Sequence, residues 1–270
     1  MTGLTHPRFE ESRFWAIFRP FFMRTLTKPS TAKCTLEHYT GFLLAESQGA
    51  GCVRLAELSG GAFAHDAANR FLNREEFTPK DLFEEVRCLM FLEGGTLSVD
   101  DTILDKPHAQ EGKTDLVGYF WSGRHGRAVL GVCLVTLFHT DVKGFRAPVN
   151  FRVVDKAEAR TKNELFREMV AEVLAWGLRP VMVSADNWYS SLENLKFLRD
   201  QGLGFLFGLE KNRTVSEREH EYKGVGKVEV PECGRVLHLR GFGFVTVFRT
   251  VDKNSDVRHY ACYDPRKKSA

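Results

Sequence analysis

The alternation of segment types between residues 96 and 209 constrains the fold of this chain more than any other feature. Thr96–Pro107 reads as a strand: Leu97, Val99, Ile103 and Leu104 favour β structure or a core, Gly94 and Gly95 punctuate its start, and Pro107 ends any ladder. Ala128–Phe138 is a long apolar run. Ala147–Val154 alternates, with Val149, Phe151 and Val153 on one face against Asn150 and Arg152 on the other. Asp141, Lys143 and Gly144 mark the hairpin between these two strands. Thr161 and Glu164 then form a capping box for a helix faced by Leu165, Met169, Val173 and Trp176, and Gly177 stops it. Pro180 opens the strand Val181–Ala185, with Asp186 at its carboxyl end. Ser190 and Glu193 cap a second helix that runs to Gly202, and Phe205–Leu209 is a further buried strand.

Three strands, helix, strand, helix, strand is the order of a ribonuclease H-like α/β sheet, in which the first and fourth strands lie side by side at the centre. That arrangement brings Asp100 and Asp186 together. Successive strand residues point to opposite faces, so of the adjacent Asp100 and Asp101 only one can face a cleft shared with Asp186. Asp100 is the first choice and Asp101 the alternative. The plain reading of an isolated Asp pair is exposed edge charge. Acids at the ends of neighbouring strands instead form a hard oxygen site suited to Mg²⁺ or Mn²⁺. Two such ions roughly 4 Å apart activate an attacking oxygen and stabilise the leaving oxygen at a phosphodiester.

The rest of the chain is less regular. Residues 1 to about 32, rich in Phe and Arg, read as a partly helical lead-in. Tyr39–Leu44, Val53–Leu58 and Ala64–Leu72 read as short helices about a Gly60-Gly61 break. They are compatible either with a helix-turn-helix presenting His65, Asn69 and Arg70 or with a small bundle that touches no base. Thr78-Pro79 opens another helix with a stripe of Leu82, Val86, Leu89 and Met90. Val225–Val230, Val236–Leu239, Phe242–Thr250 and His259–Tyr263 read as short strands of an antiparallel insertion that returns to the main sheet. The expected division is 1–92, a helical, DNA-binding region; 93–210, the first part of a catalytic core; 211–263, the β-rich insertion; and 264–270, a charged tail.

Composition narrows the partners. With 43% hydrophobic residues and a formal charge of +3, the chain is globular and permits a nucleic-acid partner without demanding one. No apolar run approaches the ~20 residues of a membrane span, and the N-terminus lacks a signal-peptide layout, so a cytoplasmic protein is expected. Six cysteines without a C-x-x-C pair argue against a zinc site and a disulfide framework, and read as buried small hydrophobes. Basic residues cluster at Arg124 and Arg127, at Lys156 and Lys162, and at Lys211 and Arg213. Each cluster is a candidate phosphate contact, with a solvated face as the plain alternative. Trp188 and Tyr189 either pack at a helix start or stack on an exposed base. His108, His125 and His139 have no metal-ligand spacing.

Taken together, Leu97-Ser-Val-Asp-Asp-Thr-Ile-Leu-Asp-Lys-Pro107, Gly118-Tyr-Phe-Trp-Ser122, Pro148-Val-Asn-Phe-Arg152, Thr161-Lys-Asn-Glu-Leu165, Ala185-Asp-Asn-Trp-Tyr-Ser-Ser191 and Lys211-Asn-Arg213 resemble DDE transposases of bacterial insertion sequences, in the insertion sequence 701 group. The resemblance runs from about Tyr39 to Tyr263. It implies a ribonuclease H-like core with a β-rich insertion, Mg²⁺-dependent hydrolysis and strand transfer at the inverted-repeat ends of the element, and double-stranded DNA as the partner of a homodimer. It further implies Asp100, followed by Thr102, as the first acid of the triad and Asp186 as the second, both as catalytic metal ligands. The recurrence of Lys156, Lys162, Lys211 and Arg213 in the family motifs favours phosphate contacts. The third acid, a Glu in Tyr-x-x-Arg-x-x-x-Glu, is expected after His259–Tyr263 and does not occur in the sequence. Glu210, Glu217, Glu219 and Glu221 precede the insertion strands, the wrong part of the order. The expectation is therefore a transposase truncated before its last acid and inactive as it stands. The alternatives are a non-catalytic DNA-binding remnant that inhibits an intact copy, and a ribonuclease H-like nuclease on another nucleic acid.

Overall fold

The computed structural model describes residues 33–46, 51–113, 116–218, 221–253 and 255–267. The expected lead-in to about residue 32 lies outside them. The chain divides into two compact units, one ending at Asp81 and one beginning at Leu82.

In the first unit, α1 (Leu36–Ala45), α2 (Cys52–Leu58) and α3 (His65–Arg74) follow one another. Thr35 caps α1 in a reciprocal box with His38. Phe42, Leu55, Phe63, Ala67, Ala68 and Phe71 close a small core of their own. The i, i+3, i+4 spacing of Ala67, Ala68 and Phe71 buries one side of α3 and leaves His65, Asn69 and Arg70 exposed. The helix α4 (Pro79–Val86) begins with proline at its first position, where no N–H is missed. It buries Phe83, which the expected stripe omitted, and Leu89, placed in that stripe, lies exposed beyond its end.

The second unit is built on one mixed sheet. Its strands are β1 (Thr96–Asp105), β2 (Gly118–Ser122), β3 (Arg127–Thr140), β4 (Arg146–Val153), β5 (Met182–Ala185), β6 (Gly204–Leu209), β7 (Thr214–Ser216), β8 (Tyr222–Gly224), β9 (Arg235–Leu239), β10 (Gly243–Val251) and β11 (Val257–Tyr263). The order is β2-β3-β1-β5-β6-β11-β10-β9-β7-β8, with β4 also paired to β3. β1 runs antiparallel to β3 and parallel to β5, and β5 parallel to β6. The helices α5 (Lys162–Ala175) and α6 (Leu192–Asp200) occupy the two crossovers. A β1-β3-β4 meander, a helix, a central parallel strand beside β1, a helix and a further parallel strand constitute the ribonuclease H-like α/β arrangement. The remaining strands extend the same sheet from β6 outward.

Gly95 starts β1 with a φ of 77°, and a Cβ there would meet the Thr140 carbonyl oxygen at 2.3 Å, so only glycine fits this entry. Phe166, Met169, Val170 and Val173 of α5 are fully buried in one core with Leu97, Val135, Leu137, Val183, Phe205 and Phe207 from the sheet. The capping box of Thr161 and Glu164 forms as expected.

Several expectations are corrected. The second crossover helix is capped by Ser191, which accepts from the Asn194 N–H; Ser190 is buried and donates to the Asn187 carbonyl instead. The alternation assigned to Ala147–Val154 breaks because the β3–β4 register shifts between Leu137 and Phe138, leaving Val149 as an extra residue. Val149 is therefore buried, and so is Asn150, whose side-chain amide donates to the Met169 carbonyl and to Glu172 of α5. Val225–Lys227 is a 3-10 turn rather than a strand, and the short β7 and β8 went unforeseen. Of the cysteines, Cys34 and Cys133 are buried as expected but Cys88 and Cys233 are exposed; all six are free thiols. No described helix is long and apolar enough to cross a membrane.

Candidate active site

The geometry of the acids follows from the β1–β5 ladder. Its offset is unchanged from the bridge of Glu93 to Arg179 through Leu97 opposite Val183 to Ser98 opposite Ser184. The Ser98 and Ser184 hydroxyls meet at 2.8 Å, which fixes them on one face. Two residues further along the chain come Asp100, still within β1, and Asp186, one position past β5 with extended backbone (φ −72°, ψ −177°). Period-two alternation therefore sends both carboxylates from the serine face. Asp101 points the other way, toward α5.

The two candidates on β1 differ in their partners. Asp100 is exposed, and one of its oxygens accepts from the N–H of Asp101. Asp101 is half-buried: it accepts from the Lys162 ammonium at 2.6 Å and from the Tyr189 hydroxyl at 3.4 Å. Asp186 accepts from the Trp188 N–H at 3.0 Å and so starts a 3-10 turn, Asn187–Tyr189. Its side chain is exposed at one edge, yet local burial pushes its carboxyl above the usual carboxylate range. The Trp188 and Tyr189 amides pull it back, and the charges of Asp100 and Asp101 push it further up. Tyr189 is raised by burial and then by Asp101, Asp186, Cys133 and Asp100. Three carboxylates thus share one electrostatic neighbourhood.

That concentration of negative charge on hard oxygen donors fits a divalent cation such as Mg²⁺ or Mn²⁺. Asp186 and Asp100 would hold it, Lys162 already engaging Asp101. Among the described residues no group of three His, Cys, Asp or Glu side chains comes together as a ligand set.

Beside Asp186 opens a cleft of about 490 Å³ lined by Asn187, Gly208, Glu210, Lys211, Arg258 and Tyr260, among others. Gly208 makes the turn possible, since a Cβ there would meet the Asn187 backbone nitrogen at 2.8 Å. Glu210, set aside at the sequence level, stands at the mouth of this cleft and accepts from the Asn187 side-chain amide. The available signal was its position at the carboxyl end of the strand following Asp186. His259 lines the cleft wall, buried, its imidazole pushed down by desolvation and by Arg249 and Lys211.

The remaining candidates separate. Lys162 sits between Asp101 and Trp188, its ammonium 5.8 Å from the indole centroid, and Trp188 is 63% exposed. Tyr189 is fully buried against Phe166; such a ring has no face to offer a base, so it belongs to the core. Lys211 is exposed in the cleft, whereas Arg213 is half-buried with a buried guanidinium nitrogen that lacks a protein partner. Arg124 and Arg127 are exposed at the β2–β3 turn, where His125 reaches Asp105 at 2.8 Å. Lys156 donates to the Tyr119 carbonyl at 2.8 Å and lies over the Phe120 ring. His139 is buried and bonded to the Phe91 carbonyl, and His108 is exposed.

No curated protein matches the chain. Among solved structures, the Drosophila P element transposase strand transfer complex aligns at 13% identity and a TM-score of 0.34, over 79% of this chain and 47% of that one. The chain thus spans about half the length of that solved relative. The sequence itself matches the DDE superfamily endonuclease family over residues 22–235, most of its length, and the chain belongs to that family.

Proposed function

We propose that the chain is the transposase of an insertion sequence of the 701 group, cutting and joining double-stranded DNA at inverted-repeat ends. What supports this reading is the constant offset of β1 and β5 up to the paired Ser98 and Ser184, two residues before Asp100 and Asp186, together with the charge of Asp100 acting on Asp186. A divalent ion bound there supplies charge neutralisation at the scissile phosphate. The chain's own residues do the rest. Asp186, fixed by the Trp188 amide, and Asp100 hold oxygens in a constant orientation. Asp101, itself bonded by the Tyr189 hydroxyl, holds Lys162 near the acids, where its ammonium meets a phosphate oxygen. Lys211 and Arg258 line the cleft through which the backbone passes.

In-line displacement by two ions needs a third carboxylate. Among the described residues no three His, Cys, Asp or Glu side chains come together as a ligand set, which favours a second reading: a DNA-binding form without turnover that occupies element ends or pairs with a catalytic copy. Mg²⁺-dependent nicking of duplexes containing the ends, with Asp186→Ala alongside, tests both. The first reading expects nicking that falls at least about a hundredfold in the variant, as loss of several kcal/mol of metal-based stabilisation requires. End-specific binding without any nicking supports the second. Nicking that Asp186→Ala leaves intact contradicts the acid-pair mechanism.

A further inference from the structure

The sheet that continues beyond β6 has two unlike faces. Phe207, Leu209, Val215, Leu237, Leu239, Val245, Val247 and Ala261 point inward to the common core. The alternate residues form rows across the opposite face. Tyr222 pairs with Ser216, Ser216 with His238 and His238 with Phe244, and the next rows are Val236-Thr246-Cys262-Leu206 and Phe248-Tyr260-Gly208.

The first row is aromatic. Tyr222 and His238 lie 5.8 Å apart, joined by a 2.9 Å hydrogen bond, and His238 and Phe244 lie 5.2 Å apart at 85°. Phe244 is 64% exposed and Tyr222 37%. The Arg240 guanidinium sits 5.8 Å over the Tyr222 ring. None of the strands β6 to β11 themselves contains an Asp or Glu, and Arg258, exposed on the same face, lies 3.7 Å from the Asp252 carboxylate just past β10. The last row ends at Gly208 and Tyr260, which line the Asp186 cleft. This face therefore carries aromatic and basic side chains from the Phe244 row to the cleft that Asp186 and Glu210 line.

We propose that this face binds a single-stranded segment of nucleic acid, unpaired bases stacking on Phe244 and Tyr222 and phosphates lying against Arg240 and Arg258, with the strand leading into the Asp186 cleft. Stacking rings need the flat face of a base, which a duplex hides between neighbouring pairs. The cations supply a sequence-independent attraction to phosphate. The inference deepens the proposed function, and rests on it only for the destination of the strand.

Fluorescence anisotropy of the full chain in EDTA tests it without cleavage, using labelled oligodeoxythymidylate, oligouridylate and a blunt duplex, each of about twenty nucleotides. The expected result is salt-sensitive binding of the single strands, weakened about tenfold or more by the double variant Tyr222→Ala/Phe244→Ala. Phe244→Trp retains affinity, and duplex binding is the same for the double variant and the parent. Tighter binding of the deoxy strand assigns the site to DNA, and equal binding to single strands of either sugar. Equal affinity of the double variant, at an unchanged melting temperature, overturns the proposal. So does a concentration-dependent dimer that Phe244→Ala dissociates, which assigns the face to a second copy. If nicking with Mg²⁺ fails while Phe244-dependent binding in EDTA persists, the catalytic reading alone falls. If nicking requires Asp186 but binding ignores Phe244, the stacking face alone falls.

Discussion

At the scale of single residues, Asp186 carries a charge that its surroundings disfavour. Burial and two neighbouring acids raise its carboxyl, so its charged form is disfavoured in the fold. Asp186→Asn should leave the melting temperature unchanged or raise it by up to about 2 °C at pH 7, the scale of a surface change in a unit this size, while removing nicking. A clear fall in melting temperature would show that the carboxylate is structural. Asp101 behaves oppositely, since it satisfies Lys162 and Tyr189; Asp101→Asn should cost about 1–3 kcal/mol in a urea titration. Asp141 accepts from the N–H groups of Phe91, Lys143 and Phe145, and these hold its carboxyl below the ordinary value, Phe91 foremost. A depressed acid stabilises above its unfolded pKa and loses that contribution as pH falls through the folded one. Asp141→Asn should therefore melt lower than the parent at pH 7, and the gap should begin to narrow as pH falls below about 4 and go on narrowing through the lower, folded value. A gap that does not narrow at all in acid would show that something other than the charge is at work.

At the scale of elements, the sequence was most readable where one local rule governed. The Thr161–Glu164 box, the Pro79 start and the long apolar β3 all rest on contacts a few residues apart. It was least readable where pairing with a distant strand decided the outcome. The β3–β4 register shift turned Asn150 inward, and Ser191 displaced Ser190 as cap because the tight turn after Asp186 buries Ser190. The Tyr222-His238-Phe244 row arises only from the pairing of four strands and has no signature along the chain. Helix α5 ties these elements together through Phe166, fully buried against Tyr189 and Phe207. Phe166→Ala should cost about 3–5 kcal/mol by chemical denaturation. It should also loosen Tyr189 and with it the Asp186 turn, read as a loss of protection of the Trp188 amide in hydrogen exchange. A cost below about 1 kcal/mol would mean that α5 does not organise the site.

At the scale of the whole molecule, the order of strands and helices from β1 to β6 was legible because period-two and period-3.6 segments alternate with clear punctuation, and that order leaves few ways to close a sheet. The expectation that Asp100 and Asp186 share one face followed from it. Glu210 at the cleft mouth did not, because its place depends on how far β6 reaches beyond β5 before turning. The central claim is that the sheet brings two distant carboxylates to one face so that they hold a divalent ion. Isothermal titration of Mn²⁺ into the parent protein and into its Asp100→Asn and Asp186→Asn variants tests it most directly. The account predicts saturable binding in the parent that both substitutions abolish. Binding by the Asp186→Asn protein equal to that of the parent would contradict it.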